Sequence, residues 1–529
     1  MASKPELTKD LFKSLFSHQV RSLCLLLTLF FPLIYANAEE SSKPKTTSGG
    51  LVRSTIGQKV TTDFGGDLTI TCIDQRRGFG KGETYDPDIN SPKSTTVTAD
   101  GKKIYVNSLE GGKTVVYDAA TRKKLKVIQH SFDSGKGPLW LEPSGYYNFT
   151  HYPDGANRSF MGKPVEEAVS RDSKYMFVPY YRRTFDINAQ DPSALAVIDT
   201  EKDEIIMMTE TGPLPKMVAV SNDGNLLAIT HWGNNTVGFL DISDKNPRNW
   251  KHLPPVVIEK ELQLNYSLTT PVDRDSGSGF ALRGTVFLPG DSILLVSGMG
   301  GPLAVVDLKK MEWIGMIPQL SRIRHITMKG DKLYMSSNAT GEIMTIPVEN
   351  ILKAVRNRSA GSKQMHVEGI RSAKVGGGAR TLKVSPSGKY IFVACNTASA
   401  IYIVREEDMK VIGRINADSF PVGLDISPDG TLLVSTSQGR KGRGGGNAVN
   451  FFKIEYADSA TEESAFKAAA FVPGDNNTNA AVEEDSQSTI NDSPEEDNGG
   501  FSALWIFIIA LAVVGIGAAI FLAKKKSVV

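Results

Sequence analysis

Cysteine is nearly absent from this chain, with three residues in 529, at Cys24, Cys72 and Cys395. Cys24 falls inside an N-terminal apolar run, and the remaining two cannot build the disulfide framework of a small secreted scaffold. One bridge between Cys72 and Cys395 stays open at this stage. The motif Cys-x-x-Cys-His does not occur, which excludes covalently attached c-type haem. Histidine is also scarce, and His130, His151, His231, His252, His325 and His366 show no metal-ligating spacing, so no metal is expected. There is no Gly-x-Ser-x-Gly elbow and no phosphate loop. The sequence therefore names no catalytic residue and implies no cofactor.

Charge is missing from residues 501–523, a stretch long enough to cross ~30 Å of hydrocarbon. Lys524, Lys525 and Lys526 follow at once, and residues 524–529 read as a basic cytoplasmic tail by the positive-inside rule. At the other end, residues 1–38 run from a basic region through a short apolar core to Ala36-Asn37-Ala38, the order of a secretory signal peptide. The expected topology is single-pass type I, with the bulk of the chain on the periplasmic or extracellular side. Residues 39–61 read as a flexible N-terminal segment. Residues 458–500 hold eleven Asp and Glu against one Lys and read as a solvated, disordered acidic stalk. Gly499-Gly500, the apolar stretch and the basic end together resemble bacterial sorting tails of the GlyGly type, which implies a tail that a protease removes. The net charge of +2 hides an uneven distribution, because the stalk carries −10. With residues 1–38 at +2 and the terminal lysines at +3, residues 39–457 are left with +7. The part that folds is basic.

What the chain has in quantity is repetition. Seven segments share a template of strand, tight polar turn and strongly β-forming strand: VTADGKKIYVNS (97–108), VSRDSKYMFVPY (169–180), VSNDGNLLAITH (220–231), FLPGDSILLVSG (287–298), TMKGDKLYMSSN (327–338), VSPSGKYIFVAC (384–395) and ISPDGTLLVSTS (426–437). Third strands such as TVVYD (114–118), LAVID (195–199) and LAVVD (303–307) follow. Asp-Gly and Ser-Gly supply the positive φ of a tight hairpin, and the strands after it are apolar on both faces. Sheets of that kind bury both faces by stacking radially. The prediction is an all-β, seven-bladed propeller over residues 62–457, with residues 62–75 as a closing strand and long insertions at 131–164 and 242–282.

Ile104-Tyr105-Val106-Asn107, the run 391–396 (IFVACN) and the run 400–404 (AIYIV) resemble the YVTN-type β-propeller repeat, in its lactonase-like and surface-antigen-like seven-bladed forms. The resemblance spans about 93–457. It implies the propeller fold, and a function among lactonases, redox proteins and surface or adhesion proteins.

Counting back from each turn reaches the first residues of the innermost strands, which lie on one face of such a propeller. That register places Lys216, Arg283 and Arg380 there, with Arg324 within one residue. The loops after the second strands add Arg182 and Arg183, His231 and Trp232, and Arg440. These nine residues form the expected ligand-binding rim. Basic groups crowded at a channel mouth call for an anionic small molecule, glycan or protein partner; no specific nucleic-acid partner is expected. Trp140, Tyr146, Tyr147 and Tyr152 suit a lid on the same face, or stacking on a sugar. The leading expectation is a membrane-anchored binding or interaction propeller without catalysis. A lactonase-like hydrolase remains as an alternative, although only Glu166 and Glu167 are acidic near the channel. A periplasmic redox propeller with a non-covalent cofactor is the third.

Overall fold

The computed structural model describes residues 46–47, 51–62, 66–149, 158–186, 189–262, 279–439 and 446–470. Residues 1–45 and 471–529 lie outside that set, and so do Arg440 and Tyr152. The signal peptide, most of the acidic stalk, the apolar stretch 501–523 and the basic tail are therefore not described. Among the described residues no helix is long and apolar enough to cross a membrane.

Seven antiparallel sheets follow one another along the chain, each paired in sequence order from its innermost strand outward. Blade one comprises Pro92–Val97, Lys103–Ser108, Lys113–Asp118 and Lys124–Gln129. The innermost strands of blades two to seven are Ala168–Val169, Pro215–Val220, Leu282–Phe287, His325–Lys329, Ala379–Val384 and Pro421–Ile426. The fourth strand of blade seven comes from the other end of the chain. Leu68–Arg77 pairs with Ala448–Tyr456 in a register running from Leu68 against Tyr456 to Arg77 against Ala448. This is the expected closing strand, shifted a few residues downstream.

The apolar core is a ring of seven clusters, one at each junction between blades. Tyr105 and Val116 of blade one meet Val178 and Ala196 of blade two, and Phe177 meets Leu227 of blade three. The series continues through Phe239 with Leu294, Leu303 with Leu333, Ile343 with Ile391 and Phe392 with Phe452. It returns to blade one through Ile104 with Phe451. Each second and third strand is buried on both faces, which explains why these strands are apolar throughout rather than alternating.

The tight turns are small hydrogen-bonded units. In blade three, Ser221 Oγ donates to Asp223 Oδ1 at 2.5 Å and accepts the Leu226 N–H at 2.9 Å, while Asp223 Oδ1 also accepts the Asn225 N–H. Gly224 completes the turn at φ +78°. Ser170 with Asp172 and Ser427 with Asp429 repeat the arrangement, with Thr98 and Asp100 doing the same in blade one. These turns all lie on the face opposite the start of the innermost strands.

Two helices depart from the sequence expectation. Val348–Arg356 fills the connection between the third and fourth strands of blade five and buries Val348, Ile351 and Ala354. Ser459–Ala470 is helical over residues that composition assigned to the stalk. Glu462 ties this helix to the blade-six turn, accepting from the Ser387 N–H at 2.8 Å and from the Ser385 and Ser387 hydroxyls. Cys72 and Cys395 are both free and buried, so no bridge joins them.

Candidate functional site

The innermost strands of six blades, with the residues just before that of blade two, surround a cavity of about 200 Å³, lined among others by Ser94, Glu166, Met217, Thr285, His325, Thr381 and Gly423. Its mouth takes its character from one register position. The pairing of first and second strands slips between Pro92 and Thr95, Pro215 and Val218, Leu282 and Thr285, and Ala379 and Leu382. Each slip encloses a basic residue next to the strand start: Lys93, Lys216, Arg283 and Arg380. A bulge re-aims the side chain it carries, and the same local irregularity in four blades gathers four cations. Arg324 arrives from blade five, immediately before its innermost strand, with its N–H on the Ser336 carbonyl.

Among the described residues, one carboxylate, Glu166, reaches cations of this ring. Glu166 Oε1 lies 3.7 Å from Lys93 Nζ and 3.4 Å from Arg283 Nη2. Burial works against its charge, but Lys93, Arg283 and Arg380 hold it below the usual carboxylate range. Among the described residues neither Arg324 nor Arg380 forms an ion pair. Arg324 places Nη1 on the Met299 sulfur at 3.3 Å, and its Nε is buried with no hydrogen-bond partner. Burial, followed by Arg283 and then Arg380, lowers Arg324 from the usual guanidinium range; burial and Arg283 lower Arg380 to about 9. Burial likewise depresses Lys216, with Arg283 and Arg324 adding to it, and depresses Lys93, with Arg380 and Arg283 adding. Every one of these shifts has the same meaning: positive charge is concentrated where water cannot solvate it.

Aromatic faces frame the ring. Lys216 Nζ sits 3.7 Å from the Tyr181 ring centre and 4.7 Å from that of Trp232. Arg182 stacks on Tyr181 at 4.7 Å and donates to its hydroxyl, and Arg380 lies 5.9 Å from Phe420. Such contacts hold the cations in place without cancelling their charge.

Deeper in, the channel neutralises itself. Lys383 pairs with Asp425 at 2.8 Å, and Asp425 accepts the Val97 N–H. Both oxygens of Glu167 are buried without a hydrogen-bond partner. Burial, with Glu166 and Asp425 nearby, pushes Glu167 well above the usual carboxylate range. His325 is pushed down to about 3, first by burial and then by Lys383, and stays neutral with Nδ1 unpartnered.

Of the residues expected on the rim, Lys216, Arg283, Arg324, Arg380, Trp232 and Arg182 come together, and Arg440 is not described. His231 and Arg183 do not join them. His231 accepts the Gly212 N–H at Nε2 and bonds Thr236 Oγ1 through Nδ1, both inside its own part of the propeller, and burial pushes it down to about 3. Arg183 is enclosed by Phe149, Phe160 and Phe185 and donates to the Pro192 carbonyl. Strand residues alternate sides, so Arg182 and its neighbour Arg183 must part. The aromatic insertion also differs from the expected lid. Trp140 packs on Phe149 and Phe160, Leu141 donates to Met208 of an outer strand, and Tyr147 meets His231 and His252 edge-on. The described part of the insertion thus packs against the outer strands of blades two and three, and Tyr146 remains exposed. Sequence reasoning missed Lys93, although the count back from Val97 that finds Lys216 from Val220 reaches it. Tyr181 belongs to the run 180–183 that the sequence places on this face, whereas Phe420 carried no motif that would single it out.

No family model matches the sequence, and no curated protein matches it. The YVTN likeness therefore rests on the repeat residues alone. Solved structures of similar fold include hydrazine synthase of Kuenenia stuttgartiensis, at 12% identity and TM-score 0.46, covering 72% of this chain and 100% of that one. The β-propeller domain of Cps50 (Swd1) of Myceliophteria thermophila gives 12% identity and TM-score 0.46 over 68% of this chain and 96% of that one. At this level of similarity neither bears on what this chain binds.

Proposed function

We propose that this chain is an extracytoplasmic β-propeller, held to a membrane by residues 501–523, whose channel mouth binds an anionic ligand or the acidic group of a protein partner. A rigid propeller face suits an interaction module. The observation that carries the anionic reading is the pair Arg324 and Arg380, desolvated beside Lys93 and without a carboxylate of their own among the described residues. Buried charge is costly unless matched, and a bound anion matches it through charge-assisted hydrogen bonds. Anchoring is supported by sequence: the uncharged run 501–523 and the three lysines after it. The repeat resemblance to surface propellers agrees with display outside the cytoplasm.

The test is thermal unfolding of the full chain in neutral detergent, with phosphate, sulfate or citrate at matched ionic strength. A ligand at a hundred times its Kd adds about 2.7 kcal/mol of stability, a shift of several degrees in the midpoint. Arg324→Gln with Arg380→Gln is expected to abolish that shift, and sodium chloride to weaken it. Failure of every anion to move the midpoint would return the arginines to a purely structural role. For the anchor, the full chain is expected to stay with membranes through an alkaline wash, and a chain ending at Gly499 to be released; retention of the shorter chain would assign attachment elsewhere.

A further inference from the structure

The arrangement around Glu166 points beyond anion binding to the kind of anion, an inference that rests on the anion-binding reading above. A ring of cations alone would favour any small oxyanion of sufficient charge. This ring contains an ionised carboxylate, and Glu166 is placed to discriminate. Lys93 and Arg283 both approach Oε1, and the side chain lines the cavity. Lys93, Arg324 and Arg380 each immediately precede a residue of the cavity wall, so an oxyanion drawn into the cavity by this ring settles beside the Glu166 carboxylate.

Two anions of equal charge and nearly equal size fare differently there. Sulfate presents only unprotonated oxygens and is repelled by Glu166. Hydrogenphosphate retains one O–H at neutral pH, can donate it to Glu166, and offers its other oxygens to the guanidinium groups. A buried acceptor left unpaired costs about 1–3 kcal/mol, and facing like charge adds to that. The wall fits the same ligand: His325 Nδ1 and Thr95 Oγ1 line the cavity without a hydrogen-bond partner, and Arg324, one residue before His325, has an unpaired Nε. The cavity of about 200 Å³ has room for such an ion with several waters, at about 30 Å³ for each water.

We infer that the channel mouth selects a small oxyanion that keeps an O–H proton, of which hydrogenphosphate is the simplest, over an equally charged oxyanion that has none. The full chain in neutral detergent is titrated at pH 7.5 and constant ionic strength with potassium phosphate, potassium sulfate and methyl phosphate, a phosphomonoester whose dianion, the main form at this pH, carries no O–H. Inorganic phosphate is expected to bind at least about 10-fold tighter than either of the others. Glu166→Gln is expected to bring the three within about 2-fold of one another, mostly by improving sulfate. Arg380→Gln is expected to weaken all three while preserving their ratio, which keeps the test decisive if the Glu166 variant folds poorly. Sulfate or methyl phosphate binding as tightly as inorganic phosphate would overturn the selectivity and leave anion binding intact. No binding of any of the three would overturn both.

Discussion

Asp418 is fully buried beneath the channel face of blade seven, with the Arg77 guanidinium 3.4 Å away. Burial outweighs that partner and lifts its carboxyl from 3.8 to about 6. The folded chain then holds a proton over a range where the unfolded chain has released it. Stability from this group is full below about pH 3.8 and declines as the pH rises to about 6, by roughly 3 kcal/mol at 1.36 kcal/mol per unit. Asp418→Asn, which keeps the shape and cannot ionise, is expected to flatten that decline. Urea-unfolding midpoints measured from pH 4 to pH 7 check it; an unchanged slope would assign the pH dependence to another carboxyl. Residue identity also explains how far the site could be read in advance. Lys216, Arg283 and Arg380 were legible because a fixed count from a Gly-containing turn marks a strand start. His231 and Arg183 were misplaced because position in a loop or strand end says nothing about which side a chain faces. That choice depends on neighbours, here Gly212 and Thr236 for one and three phenylalanines for the other.

The unit that recurs along the chain is the hairpin, and its glycines are not equivalent. Gly101 in blade one and Gly430 in blade seven both have positive φ, +70° and +78°. A Cβ on Gly101 would find only the Pro428 ring at 3.8 Å, an ordinary contact, whereas on Gly430 it would stand 2.7 Å from Pro386 Cδ. Gly101→Ala is expected to cost about 1 kcal/mol, for backbone conformation alone. Gly430→Ala carries the same penalty and an overlap between blades, and is expected to cost about 1–3 kcal/mol more. Equal unfolding midpoints for the two variants would mean that the blade-six turn gives way freely. These hairpins are the most legible elements, because Ser or Thr, Asp and Gly each perform a local task that needs no tertiary context. The helix Val348–Arg356 has helical spacing in Val348, Ile351 and Ala354, but it is short and lies between strands of one repeat. The strand slips that gather the cations have no signal in composition at all; they become visible only when the first two strands are paired.

At the scale of the molecule, closure is the feature on which the channel depends. Blade seven takes Leu68–Arg77 from the start of the folded part and Pro421–Tyr456 from its end, and Gln75 donates to Asn450 across 375 residues of chain. A chain beginning at residue 79 is expected to lose that strand, expose Phe451 and Phe452, and unfold over a broad range. A chain beginning at residue 39 is expected to melt sharply. Calorimetry of the two forms separates these outcomes, and equally sharp transitions would show that the ring holds without its closing strand.

That pairing also sets a schedule. Leu68–Arg77 is synthesised before any blade and pairs at once with Lys59–Thr61, but its blade-seven partner Ala448–Tyr456 is not complete until residue 456 has been made. Blades one to six can form as they appear, yet the first must wait with one flank bare for the seventh. The channel with its cluster of charge therefore comes into being as a last step, once nearly the whole folded region has been made. Nothing can be bound inside before then, and a molecule that stalls before residue 456 is left as an open arc with an apolar flank for quality control to find.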